Sequence, residues 1–257
     1  MPFVDVNGQR IHYTDSGEGP AIVATHATLM DTVSLEPLTS RLPGRVVSFD
    51  LRGHGKTVYD KQPYDYNDVA DDVLALVDHL GITTFTFLGE GQGAVVALRT
   101  ALKAPDRVKR LVLIGPTADA PSVSENAALD AAMDIWCTTG PDPSVYARVA
   151  EHATGTPEDA ADLLQRWTDS AWKDYRPAAD ALANRTRFVD ELPKITCPAL
   201  VVHGSADFFV PAVFGKEVAD NLGGPTTWVE IPTQEQAITM AFDSRVGDAV
   251  VGWLADQ

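Results

Sequence analysis

Cysteine is nearly absent from this 257-residue chain, which holds only Cys137 and Cys197, far apart. Two such residues cannot build a disulfide framework or a cysteine-rich zinc cluster, so a reducing cytoplasm is the expected compartment. Long apolar runs are lacking too. None approaches the ~18 residues that a membrane span requires. The start, MPFVDVNGQRIHY, has no basic stretch leading into an apolar one, so no signal peptide is expected. Basic residues are scarce, 20 Lys and Arg against 36 Asp and Glu, giving a net charge of −16 and a pI near 4.6. Such a chain repels phosphate, which argues against nucleic acid and anionic membrane surfaces as partners. Internal repeats and low-complexity linkers are also missing.

What is present is ordinary globular material, 45% hydrophobic and 22% charged, enough to bury a sizeable core. Short β-rich runs (IHYTDSG, PAIVATH, VVSFD, TTFTFLG, VKRLVLIG, PALVVHG, TTWVEIP) alternate with helical patterns. In YNDVADDVLALVDHLG, for instance, Val69, Val73, Leu76, Val77 and Leu80 recur at helical spacing and Gly81 supplies the stop. Alternation of this kind predicts an α/β fold with a mostly parallel sheet covered on both faces. Ligands bind such sheets beyond the carboxyl ends of the strands, where THAT, GEGQG, GSAD and PTQEQ fall. Between 116 and 192 the strand signal disappears. That stretch is helical and acidic, with 14 Asp and Glu against 6 Lys and Arg, and holds Trp136, Trp167 and Trp172. It reads as a helical cap, with residues 1–115 and 193–257 forming the core domain. Its aromatics fit either helix packing or a pocket lining.

The stretch GEGQG at 89–93 joins a strand to a helix through a glycine turn, the setting of the G-x-S-x-G nucleophile motif. Several further stretches agree with it. DLRGHGKT resembles a D-x-R-G-x-G-x-S/T loop, ITCPALVVHGSADFFVP the strand and loop carrying a catalytic acid, and WVEIP with DSRVGDAVVGWL a last strand and terminal helix. Along nearly its whole length the chain resembles a small, capped α/β-hydrolase. The resemblance implies an eight-stranded, mostly parallel twisted sheet with helices on both faces and a helical cap. It places the acid at Asp207, the nucleophile at Gly91 and the histidine, ten residues before Val246, at Gln236. The usual His-Gly after the first central strand is here His26-Ala27. Only Asp207 of the Ser-His-Asp triad remains, and His26 and His203 match structural histidines of the family.

Glycine takes strained elbow geometry with little steric cost but has no hydroxyl to acylate. The resemblance therefore implies a hydrolase-like protein without a working triad. The main-chain amides of Ala27 and Gln92 are expected to keep the oxyanion position. Asp207 is either a general base or a structural residue that caps its own loop or hydrogen-bonds Gln236. Gln92 is expected to face the cap and a ligand. Glu90 is either catalytic or paired with a basic residue, while Gln234 and Glu235 fit a site loop or solvated positions. His26, Ala27, Thr28, Gly91, Trp136 and Phe208 are the expected substrate-binding residues. No metal or cofactor is expected. The leading expectation is a cofactor-independent, non-hydrolytic enzyme for cyclisation, elimination, isomerisation or epoxide opening of a mainly apolar small molecule. Bacterial specialised metabolism is its natural setting by analogy. A non-catalytic, ligand-binding pseudo-hydrolase is the alternative.

Overall fold

The computed structural model describes residues 2–154, 156–207, 210–232 and 243–256. Its strands are β1 (Phe3–Val6), β2 (Gln9–Ser16), β3 (Ala21–Thr25), β4 (Arg45–Phe49), β5 (Phe85–Glu90), β6 (Val108–Ile114), β7 (Ala199–Gly204) and β8 (Thr226–Ile231). They form one eight-stranded sheet in the order β1-β2-β4-β3-β5-β6-β7-β8. The first two pairings, β1–β2 and β2–β4, are antiparallel, and every other is parallel. The central strands are apolar on both faces, as a doubly covered sheet requires; every residue of β5 and β7 is buried.

The helices are α1 (Glu36–Thr39), α2 (Tyr66–His79), α3 (Gln92–Lys103), α4 (Val123–Thr139), α5 (Pro143–Thr154), α6 (Pro157–Asp169), α7 (Arg176–Ala183), α8 (Ala212–Asn221) and α9 (Ser244–Ala255). Helix α2 starts where Asp65 and Asp68 form a reciprocal capping box, which satisfies two otherwise unpaired amides. It buries Val69, Val73, Leu76 and Val77 with α3 in one core layer, and α1 and α9 cover the opposite face. Helices α4 to α7 form a third hydrophobic cluster. In it Trp136, Tyr146, Trp167 and Tyr175 pack together with Ala27 and Met30 from the loop after β3.

Register sets the site's position. Thr25 pairs with Gly89, Glu90 with Ile114, and Ile114 with Val202, so the parallel strands end along one edge. The Gly91 amide then donates to Ile114 O at 2.8 Å and the Gly115 amide to Val202 O at 2.9 Å, drawing successive loops onto that edge. The helical segment from α4 to α7 lies between β6 and β7 in the chain, on the side of these loops.

Candidate functional site

The turn between β5 and α3 is tight because its glycines permit close approach. A Cβ on Gly93 would stand 2.6 Å from Thr25 O and 2.8 Å from His26 O, so only glycine lets α3 start this close to β3. Gly91 has φ 56° and ψ −116°, a conformation that residues with a Cβ rarely adopt. It is partly exposed. A Cβ there would lie 3.1 Å from Ala27 Cβ, tighter than ordinary carbon contact at about 3.5–4.0 Å. The methyl of Ala27 thus borders the space in which a side chain at 91 would begin.

Gln92 opens α3, so its main-chain N–H has no partner within the helix and lies at the positive end of the helix dipole. Its side chain turns inward instead. Gln92 Oε1 accepts from the Tyr66 hydroxyl at 3.2 Å and the Thr28 hydroxyl at 3.3 Å. Gln92 Nε2 lies 3.0 Å from His54 Nε2, and the Tyr175 hydroxyl lies 3.0 Å from the same nitrogen. His54 Nδ1 stands 2.9 Å from Arg52 O, a carbonyl that can only accept. The proton therefore sits on Nδ1, and Nε2 accepts from both Gln92 and Tyr175. Burial pushes His54 down to about 3, and neighbouring His26 reinforces the shift. His26 is lowered by the same cause. Its Nε2 accepts from the Leu51 amide at 3.2 Å and its Nδ1 donates to Ala27 O at 2.9 Å, which holds the loop after β3. Both rings are neutral near pH 7. Burial raises the Tyr66 and Tyr175 hydroxyls, so both stay protonated donors.

Asp207 lies on the loop after β7. Its Oδ1 accepts from the Val210 amide at 2.9 Å, and its Oδ2 is 3.9 Å from His203 Nε2, which itself donates to Val210 O at 2.7 Å. The carboxylate therefore takes part in shaping its own loop. A Cβ on Gly115, beyond β6, would be 3.7 Å from Oδ2, so the group reaches the same sheet edge as the β5–α3 turn. Glu90 is the last residue of β5 and is buried. Trp136 is buried at the centre of the aromatics of the α4 to α7 segment, 5.3 Å from Trp167 and 4.9 Å from Tyr146 between ring centroids. Gln236 and Phe208, with Gln234 and Glu235, lie outside the described residues. Among the described residues, no group of three or more His, Cys, Asp or Glu is placed to hold a metal ion. No described helix is long and apolar enough to cross a membrane.

The order and direction of the strands, with a glycine elbow between β5 and α3 and an acid on the loop after β7, decide the architecture. The chain has an α/β-hydrolase fold. A family profile described as alpha/beta hydrolase fold matches residues 37–137. The 2-(acetamidomethylene)succinate hydrolase of Mesorhizobium japonicum is 28% identical over 81% of this chain and 79% of its own. A non-heme haloperoxidase of Rhodococcus erythropolis is 28% identical over 86% of this chain and 88% of its own. Among solved structures, the enol-lactonase from Burkholderia xenovorans LB400 superimposes with a TM-score of 0.85 at 25% identity, covering 99% of this chain and 98% of that one.

Within this α/β-hydrolase fold, sequence reasoning missed His54, Tyr66 and Tyr175, which hold Gln92. His54 stands in the DLRGHGKT loop, so its place near the site was readable. Tyr66 begins α2 and Tyr175 precedes α7; no local pattern marks either as a partner of residue 92.

Proposed function

We propose that this protein works without a Ser-His-Asp triad, as a non-hydrolytic enzyme acting on a mainly apolar small molecule at the strand ends. Cyclisation, elimination, isomerisation and epoxide opening are the reaction classes that fit, since none needs an acyl-enzyme. One observation carries the reading: Gly91 keeps the elbow's geometry while offering no side chain, and the Ala27 methyl stands 3.1 Å from where one would start. The amides of Ala27 and Gln92 remain as donors for developing negative charge. Asp207 and Glu90 are the carboxyl groups available for proton transfer, and Gln236 takes the place of the family's histidine. Thr28 borders the substrate's path in this reading, whereas His26, fully buried with both ring nitrogens bonded to main chain, holds the loop after β3 instead. The relatives act on small molecules by their names, which supports the substrate's size. The acidic balance of the chain disfavours multiply charged anions and nucleic acid. A cytoplasmic setting accords with two free cysteines.

A fluorophosphonate probe and p-nitrophenyl acetate test the central claim. Neither specific labelling nor turnover is expected, and a covalent adduct at or beside residue 91 would refute it.

A non-catalytic, ligand-binding role is the second reading, favoured by the hydrogen bond that ties Asp207 to the Val210 amide. Asp207→Asn separates the two, because an amide oxygen can still accept from Val210 while losing the titration. A general base loses roughly 10²–10⁴ in turnover on that change. A loop-shaping residue loses little.

A further inference from the structure

One arginine of the helical segment lacks what its neighbours have. Arg166 is paired with Asp31 and Asp162, Arg176 with Asp130, Asp134 and Asp180, and Arg187 with Asp119, Asp190 and Glu217. Arg185 has no carboxylate partner among the described residues. It donates to main chain instead, Nε to Asp119 O at 3.0 Å and Nη1 to Leu182 O at 3.0 Å. A guanidinium carries five N–H groups, so three are left, two of them on Nη2. Nη2 bonds to no described residue and is not sealed from solvent.

Glu125 and Asp119, the carboxylates whose charge reaches Arg185, are engaged elsewhere. Glu125 Oε2 accepts from the Ser122 amide at 2.6 Å, and Asp119 Oδ1 accepts from the Ala120 amide at 3.1 Å and from Arg187 at 3.2 Å. Arg185 is partly buried, and burial pushes its guanidinium below the usual range. A partly desolvated charge without a counter-charge is costly, which is why such groups are normally paired.

Its position indicates where a partner would come from. Asp119 lies on the loop that leaves β6 through Gly115, beside the Asp207 carboxylate. On the other side stands Tyr66, whose hydroxyl donates to Gln92 Oε1 at 3.2 Å. Burial raises that hydroxyl and the Arg185 charge opposes the rise, an influence that fades beyond about 10 Å. The guanidinium therefore sits between the loop after β6 and the start of α2, at the rim of the strand-end space.

We propose that Arg185 binds a carboxylate on the ligand of the strand-end site, which makes that ligand a monocarboxylic acid with an apolar body. The proposal rests on the strand-end reading above and adds one charge to it. Three free donors on one cation suit a single carboxylate, whereas a second anionic group would meet a chain of net charge −16.

4-Phenylbutanoate and 4-phenylbutanamide make the test, since they share a shape and differ in charge. Ligand-observed NMR titration of the intact protein at pH 7 is expected to show the acid binding about tenfold more tightly. Arg185→Gln keeps a donor for the Asp119 carbonyl and removes the charge. It is expected to bring the acid down to the level of the amide and to leave the amide within about twofold. Should that variant not fold, the wild type decides: saturating acid is expected to protect Arg185 from phenylglyoxal, read by peptide mass spectrometry, and the amide is not. Equal affinities in the wild type, a preference that survives Arg185→Gln, or modification of Arg185 as fast with the acid as without it would each overturn the assignment. Thr28→Phe, across the strand-end path, is expected to weaken both compounds. Loss of both there without any preference for the acid keeps the strand-end reading and refutes the role of Arg185. Binding that ignores Thr28→Phe refutes the strand-end reading itself, and absence of millimolar binding by either compound refutes both.

Discussion

Gly91→Ala is the most informative single change, because two separable effects oppose it. The first is backbone strain: φ 56° and ψ −116° cost a residue with a Cβ about 1–3 kcal/mol. The second is contact with Ala27, whose Cβ would be 3.1 Å away. Overpacking of that kind costs about 1–3 kcal/mol when neighbours cannot move. Ala27 is buried in the hydrophobic cluster with α4 to α7 and its carbonyl is bonded to His26, so relief by movement is limited. Together the effects amount to about 2–6 kcal/mol. Replacing Ala27 by glycine removes the contact but not the strain, so Gly91→Ala in that background should cost only about 1–3 kcal/mol. Urea unfolding of the wild type, both single variants and the double variant yields the coupling energy directly. A favourable coupling of about 1–3 kcal/mol is expected. Additivity within about 0.5 kcal/mol would show that the methyls do not meet and would sink the argument. The cycle also has a chemical consequence. Rebuilding a hydrolase should take Gly91→Ser and Gln236→His together with Ala27→Gly, with p-nitrophenyl acetate turnover appearing in the triple variant and weaker or absent without the change at 27.

Three further outcomes follow from the buried polar groups. His54 is held near 3 in the folded protein against about 6.5 when unfolded. The unfolded state therefore binds the extra proton first, and stability is fully present above pH 6.5 and lost as pH falls towards 3. His54→Asn should flatten the stability curve between pH 6 and 4.5 by up to about 1.4 kcal/mol per pH unit; an unchanged slope would contradict a buried neutral ring. Gln92→Leu strands the Tyr66 and Thr28 hydroxyls and removes one of the two donors to His54 Nε2, so a loss of about 1–3 kcal/mol in chemical unfolding is expected. Asp72→Ala leaves the Arg52 guanidinium without its two bonds at 2.5 Å and 2.9 Å, and should cost about 3–5 kcal/mol; a loss below about 1 kcal/mol would mean that water already reaches the pair.

The sequence by itself determined the elements of the α/β-hydrolase fold and the special character of residue 91. Strands and helices here are written in local periodicity: the apolar positions of α2 face one way because 3.6 residues make a turn, and its stop at Gly81 follows from that residue's φ of 66°. The elbow is likewise local, since β-rich residues, glycines and a helix follow one another directly. Only the tertiary structure decided who touches whom across that frame. Gln92 looked like a ligand contact, yet its side chain is taken by Thr28, Tyr66 and His54, which reach it from three separate segments. Trp136 was open to either wall or packing, and its ring lies at the heart of the cluster formed by α4 to α7. The 3.1 Å approach at Ala27 was invisible for the same reason. Such contacts depend on the register that aligns β3 with β5 and on how the helical segment seats over their ends. Distances of a few tenths of an ångström between residues far apart in sequence are set by the packing of the whole chain.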